Sequence, residues 1–261
     1  MGDNGLVANS GTGDSMVDRV VRILGAFDAG HTDLSASDVA RRAGLPMSSA
    51  HRIVGDLLRA GLLERDADGR VRIGMRLWEL TTRGSRALAL RQAALPAMER
   101  VQAEIGEHVQ LCVLDQDEVL VIEQLSGPEA VSNITRVAGR LPLHASSSGL
   151  VLLAFGRQAL RDRVLARPLP AVGPTTITDP DALARRLAVI RRDGAAVLPG
   201  SIESVATGIS VPVTDRAGTT VAALSAVVPF GWARERETIA ALRSAAAAVT
   251  SAIADYGILT H

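Results

Sequence analysis

The chain has 261 residues, enough for two domains with real cores, and its 28 basic and 28 acidic residues give a formal net charge of zero. Its single cysteine, Cys112, excludes an internal disulfide framework and a multi-cysteine zinc site, and 2% aromatic content argues against recognition of nucleic acid by base stacking. Arg, Asp, Gly or Pro interrupts every apolar run before it reaches membrane-spanning length, and no basic-then-apolar leader opens the chain, so the expectation is a cytoplasmic protein with no membrane partner.

Met1 to Asp14, rich in Gly, Asn, Asp and Ser, reads as a flexible tail (residues 1–14). Residues 15–76 read as a DNA-binding module, and the neutral overall charge hides a bias there: Ser15 to Arg91 holds 13 arginines against 9 acidic residues. Val17, Val20, Val21, Leu24 and Phe27 predict a first helix with a buried face, leaving Arg19 and Arg22 on other faces. Leu34 and Ser35 then open a second helix as hydrophobic staple and N-cap, with Asp38 three residues on and Val39 placed to meet Leu34. Gly44 stops it. Pro46 fits the first position of a third helix, which Gly61 ends. In that helix Ala50, Ile53, Val54, Leu57 and Leu58 form one apolar stripe, so Ser48, Ser49, His51, Arg52 and Arg59 are left for solvent or a ligand. Small donors and a guanidinium near the helix start suit a recognition helix in a major groove, where Arg addresses guanine bidentately. The run from Leu62 to Ile73, turning at Asp68-Gly69, predicts a hairpin wing whose Arg70 and Arg72 reach phosphate or a minor groove. The candidate DNA contacts are therefore Arg19, Ser48, Ser49, His51, Arg52, Arg70 and Arg72.

A connecting helix is expected over residues 77–95, and a second domain over 96–261, starting with a helix at Pro96. Val109–Leu114 and Val119–Leu125 predict a hairpin around Asp115 to Glu118, and Ile134–Val137 a further strand. Helices follow from Ala145–Gly149 to Phe155, from Arg157 to Leu165, and from a Thr178 N-cap to Gly194. Strands at Ile209–Val213 and Thr220–Val227 and a closing helix from Glu235 to Tyr256 complete it. The fold class is mixed α/β (α+β), with a mainly antiparallel sheet behind the winged helix-turn-helix.

With these residues placed, the chain resembles the IclR family of bacterial transcriptional regulators over nearly its whole length. The resemblance is carried by Asp18-Arg19-Val20, the Leu34 to Leu58 run, Gly69 to Gly74, Leu141-Pro142-Leu143-His144-Ala145, Thr176-Ile177-Thr178 and the Asp215 to Ser225 hairpin. It implies a GAF/PAS-like C-terminal domain that binds a small effector, a homodimer or dimer of dimers, and a palindromic double-stranded operator; no cofactor or metal is implied. By position it implies effector contacts from Leu141, Leu143, Ala145, Ser147, Ser148, Gly208, Ile209 and Ser225. Serines at a helix start favour an anion such as a carboxylate. The chain differs from many members in having Leu198-Pro199-Gly200-Ser201 for acidic residues, Gly208 for Cys and Leu150 for a basic residue. Those differences predict a roomier, more apolar pocket, suited to an organic acid with an aromatic-type body.

Rival functions have weaker support. A hydrolase could use His144 with Ser146, but no Gly-x-Ser-x-Gly elbow and no orienting carboxylate accompany them. Cys112, amid Leu111, Val113 and Leu114, reads as a buried thiol, and the five histidines lack metal-ligand spacing. The catalytic expectation is none. A protein-interaction module on a winged-helix scaffold is the third alternative.

Overall fold

The computed structural model describes residues 14–28 and 30–255, so the expected tail, Asp14 apart, and Tyr256 lie outside the described residues. The chain divides into two compact units between Ser85 and Arg86.

In the first unit, helix α1 (Met16–Leu24) starts in a reciprocal capping box: Ser15 accepts from the Asp18 amide, and Asp18 accepts from Ser15. Helix α2 (Ala36–Ala43) starts at Ser35, whose hydroxyl also accepts from the Asp38 amide. Helix α3 (Met47–Arg59) follows after a short turn. Gly44 and Gly61, at φ of 61° and 72°, end α2 and α3 in the left-handed conformation that a β-carbon disfavours. In both, two amides return to the last helical turn: Gly61 and Leu62 donate to the Leu58 and Leu57 carbonyls, Gly44 and Leu45 to those of Arg41 and Ala40. Strands β1 (Leu63–Arg65) and β2 (Val71–Ile73) form the wing, and Leu34 exchanges backbone hydrogen bonds with Val71 to tie the staple to it. Ile23, Leu34, Val39, Ile53, Leu57, Leu63 and Val71 are the core.

Two local expectations are corrected here. Pro46 is the N-cap of α3 and not its first residue; its ψ of 139° is extended while its carbonyl already accepts from Ala50. On α1 the buried anchor is Ile23, and Val17 and Val21 are 69% and 61% exposed. Val20 and Leu24 do pack on the core, so the apolar face of α1 is wider than the stripe it buries.

The connection is two helices and not one: α4 (Met75–Thr82) in the first unit and α5 (Arg86–Ile105) in the second. Pro96, expected to open a helix, sits inside α5. Its ring costs a helix roughly 3 kcal/mol. Burial outweighs that cost, because Leu90, Ala94, Ala97, Met98, Val101 and Ile105 continue one apolar stripe across the proline.

The second unit is a six-stranded antiparallel sheet between two helical layers. Its strands are β3 (His108–Asp115), β4 (Glu118–Leu125), β5 (Arg140–Pro142), β6 (Ala196–Pro199), β7 (Ala206–Thr214) and β8 (Thr220–Pro229), in the order β5-β4-β3-β8-β7-β6. Val109, Leu111, Ile209, Val211, Leu224 and Ala226 face α5 and helix α9 (Glu235–Asp255). Cys112, Val121 and Ala223 face α6 (Ser147–Phe155) and its neighbours α7 (Gln158–Leu165) and α8 (Pro180–Asp193). Asp179, not Thr178, caps α8: its carboxylate accepts from Ala182 at 2.9 Å, as expected once Pro180 takes the first helical position.

The strand expected at Ile134–Val137 does not form. Ladder bonding resumes only at Ala138 and Gly139, which pair with Val121 ahead of β5. The segment from Ser126 to Val137 is instead held by side chains: Glu107 accepts from the Val131 amide, His108 Nε2 lies 2.6 Å from the Val131 carbonyl, and Glu203 accepts from the Ile134 amide.

Candidate DNA-reading face and ligand cavity

On α3, burying Ala50, Ile53, Val54 and Leu57 turns Ser48, His51 and Arg52 to solvent, with Ser49 half-buried beside them. Met47, not among the expected residues, is exposed on the first turn of the same helix. Arg52 lies 3.6 Å from Asp56 one turn on, an exposed pair worth little, so its guanidinium can exchange that partner for a base edge at small cost. Arg22, also missed, positions the helix: its guanidinium donates to the Ala43 and Gly44 carbonyls, joining α1 to the turn ahead of α3.

The wing arginines are less free than the sequence suggested. Arg70 donates through Nε and Nη2 to the Asp33 carbonyl, and Arg72 pairs with Glu64 across the hairpin at 3.3 Å. The Met75 amide, then Arg72, hold the Glu64 carboxyl below the usual range. Arg19 is half-buried on α1, a different element from the recognition helix.

In the second unit a cavity opens between the start of α6, the ends of β6 and β7, and the side-chain-held segment after β4. It encloses about 460 Å³ with its open mouth included. Ser146 caps α6, donating to the Pro142 carbonyl and accepting from Gly149. Ser147 and Ser148 are thus the first two helical residues, whose amides have no partner within the helix. Both line the cavity, as do Leu141, Ala145 and Gly208.

Three expected contacts are placed elsewhere. Ile209 points to the α5/α9 side, since neighbouring strand residues face opposite ways and Gly208 faces α6. Leu143 is buried in the core beneath α6. Ser225 sits behind the cavity wall, where Ser210 Oγ lies 2.7 Å from both Ser147 Oγ and Ser225 Oγ. The room expected at Gly208 is already taken: a β-carbon there would lie 2.6 Å from Ser147 Oγ. The cavity takes in Ser201, from a stretch already tied to the pocket, and residues that sequence order hides, among them Gln110, Asn133, Thr135 and Glu203. They come from three separate parts of the chain, and only the sheet topology joins them.

The hydrolase pairing is not assembled. His144 Nε2 lies 2.9 Å from the Pro170 carbonyl, while the Ser146 hydroxyl is spent on the α6 cap. Cys112 is fully buried, and burial pushes its thiol up to about 12, with Ser148 and Ser225 hydrogen bonds acting in the opposite direction. The thiol of the folded protein is therefore expected to resist alkylation at pH 8, because the thiolate is the nucleophile. Cys112→Ser is expected to lower stability by about 1–3 kcal/mol through burial of a hydroxyl, measured by denaturant unfolding. Rapid alkylation of the native protein would contradict the buried placement.

Among the described residues no helix is long and apolar enough to cross a membrane, and no group of three or more His, Cys, Asp or Glu residues is arranged to hold a metal.

Family comparisons agree with both units. Residues 16–67 match the IclR helix-turn-helix domain and residues 85–253 the bacterial transcriptional regulator IclR C-terminal domain. The chain is 30% identical over 181 residues to the HTH-type transcriptional regulator KipR of Bacillus subtilis, covering 69% of this chain and 72% of that one. An IclR homolog from Microbacterium hydrocarbonoxydans, solved in complex with 4-hydroxybenzoate, is 55% identical with a TM-score of 0.86, over 92% of this chain and 99% of that one. A second IclR homolog, from Microbacterium sp. strain HM58-2, is 54% identical with a TM-score of 0.61, over 91% and 97%. The chain therefore belongs to the IclR family of bacterial transcriptional regulators, with a helix-turn-helix DNA-binding domain followed by a C-terminal effector-binding domain.

Proposed function

We propose that this regulator acts in the cytoplasm as a homodimer or dimer of dimers on a palindromic operator, and that a small aromatic carboxylic acid in the α6 cavity modulates its binding. The cavity carries the effector reading. It brings the first two amides of a helix and two serines against apolar walls from Leu141, Ala145, Leu198 and Val227. Unpartnered helix N-terminal amides favour a carboxylate, and apolar walls favour a ring. The 4-hydroxybenzoate bound to the Microbacterium hydrocarbonoxydans homolog is a molecule of that chemistry. Apolar residues exposed on α1 (Val17, Val21) and α4 (Met75, Trp78, Leu80) support self-association, since each is more than half exposed in the single chain. The protein carries out no catalysis in this reading: His144, Ser146 and Cys112 are all committed to structural partners.

Its DNA contacts are Ser48, Ser49, His51 and Arg52 on α3, with Arg70, Arg72 and Arg19 meeting backbone phosphates. Mobility shifts with operator DNA test this. Arg52→Ala is expected to weaken binding by roughly 1–3 kcal/mol and relax preference at one base position. Arg70→Ala is expected to weaken all sequences alike and flatten the dependence of log affinity on log salt, since phosphate contacts carry the counterion release. Unchanged affinity and base preference in Arg52→Ala would remove that side chain from the reading face. An unchanged salt slope in Arg70→Ala would leave that arginine as a brace on Asp33.

A further inference from the structure

Asn133 holds a buried polar group that has no hydrogen-bond partner among the described residues. Its Oδ1 accepts from the Thr135 amide at 3.0 Å and lies 2.6 Å from the Thr135 hydroxyl, which in turn accepts from Gln110 Nε2. Those donors fix the amide's orientation, so Nδ2 and not the carbonyl is the atom left over. That Nδ2 is buried and has no hydrogen-bond partner among the described residues, and Asn133 lines the cavity. A buried donor left unpaired forfeits its hydration with nothing in return, which is why native structures rarely keep one without a ligand or water to accept from it.

The neighbouring cavity residue supplies the opposite chemistry. Glu203, in the turn between β6 and β7, accepts from the Ile134 amide at 3.2 Å and from Ser132 Oγ at 3.5 Å. A carboxylate has about four acceptor positions, so it retains capacity for a donor from the cavity it lines. A residue with a spare donor and a residue with an anionic acceptor thus line the same cavity.

We propose that Asn133 and Glu203 form a second polar subsite in this cavity that selects a hydroxyl group on the effector, Asn133 Nδ2 donating a hydrogen bond to its oxygen and the Glu203 carboxylate accepting one from its O–H. A hydroxyl both accepts and donates. An ether only accepts, an ammonium only donates, and a second carboxylate would meet the charge of Glu203. The subsite therefore also orients the ligand, with the acid at the start of α6 and the hydroxyl here. This inference rests on the aromatic-acid reading above and narrows it to hydroxylated acids.

The test is calorimetric titration of the full chain with 4-hydroxybenzoate, 4-methoxybenzoate and benzoate. The wild type is expected to bind the hydroxylated acid at least about ten-fold more tightly than the other two, as a hydrogen bond to a charged group implies. Asn133→Leu is expected to shrink the preference for hydroxybenzoate over benzoate to within about three-fold, its folding checked by circular dichroism. If the wild type binds hydroxybenzoate and benzoate equally, the subsite is wrong while the aromatic-acid reading stands. If it binds none of the three, both fall. A full preference retained in folded Asn133→Leu would overturn the role of Asn133. Should that variant not fold, the wild-type series decides by itself.

Discussion

Gly149→Ala is expected to cost the C-terminal unit about 3–4 kcal/mol, a large part of the 5–15 kcal/mol that holds an ordinary domain together. The reason is contact and not conformational freedom. A β-carbon at Gly149 would lie 2.3 Å from the Leu143 carbonyl oxygen, 2.6 Å from Leu143 Cα and 2.7 Å from Ser146 Oγ. Two of those atoms are backbone, so no rotamer change relieves them; the first turn of α6 has to move off the loop after β5. Overpacking costs roughly 1–3 kcal/mol where side chains can give, and the Ser146 cap, worth about 1 kcal/mol, is strained in the same movement. Gly218→Ala is the control. Gly218 has nothing within 4 Å of a built β-carbon but sits at a φ of 79°, so backbone strain of roughly 1–2 kcal/mol is the expected cost there. Denaturant unfolding of both variants compares the two causes. A Gly149→Ala loss no larger than that of Gly218→Ala would show that α6 is not pinned against Leu143.

What the sequence made legible was whatever depends on near neighbours. Ser15 and Ser35 with acidic residues three positions on, Gly44 and Gly61 after apolar stripes, and Gly69 between short strands are each decided within a turn or two of backbone. Faces and tertiary placement were less legible. Val17 and Val21 have the spacing of a buried stripe, yet Ile23 fills the core, and hydrophobicity alone does not choose which apolar face is covered. Pro96 looked like a helix start because a proline is cheapest there; a stripe long enough to bury both halves overrode it. Placing Gly208 and Ile209 in one cavity broke the alternation of a strand, an error the sequence itself could have exposed. Asn133 and Glu203 carried no readable signal, since 69 residues separate Glu203 from the Ile134 amide it accepts from. Only the pairing of β3 with β8 and of β8 with β7 brings those regions together.

Gly208→Leu is expected to abolish the effector response while leaving a folded, operator-binding protein. Gly208 pairs with Leu198 on one side and Val227 on the other, so its backbone is fixed by two ladders and its missing side chain points at α6. Ser147 occupies that space, with its Cβ 3.2 Å and its Oγ 2.6 Å from where a β-carbon would be. Leucine must therefore push Ser147 aside, breaking its hydrogen bond with Ser210, and its remaining carbons project into the cavity. Unlike Gly149, the nearest obstacle is a side chain, which limits the stability cost to roughly 1–3 kcal/mol. The ligand loses both the displaced serine and the volume, so affinity for an aromatic acid is expected to fall at least a hundred-fold, about 2.7 kcal/mol. A ligand shifts DNA binding only through unequal affinity for the two states, so a variant that no longer binds it cannot respond to it. Calorimetry and mobility shifts on the same preparation separate the two effects. Normal ligand affinity together with a normal ligand-induced change in operator binding would place the effector outside this cavity, whatever the serines at the start of α6 do.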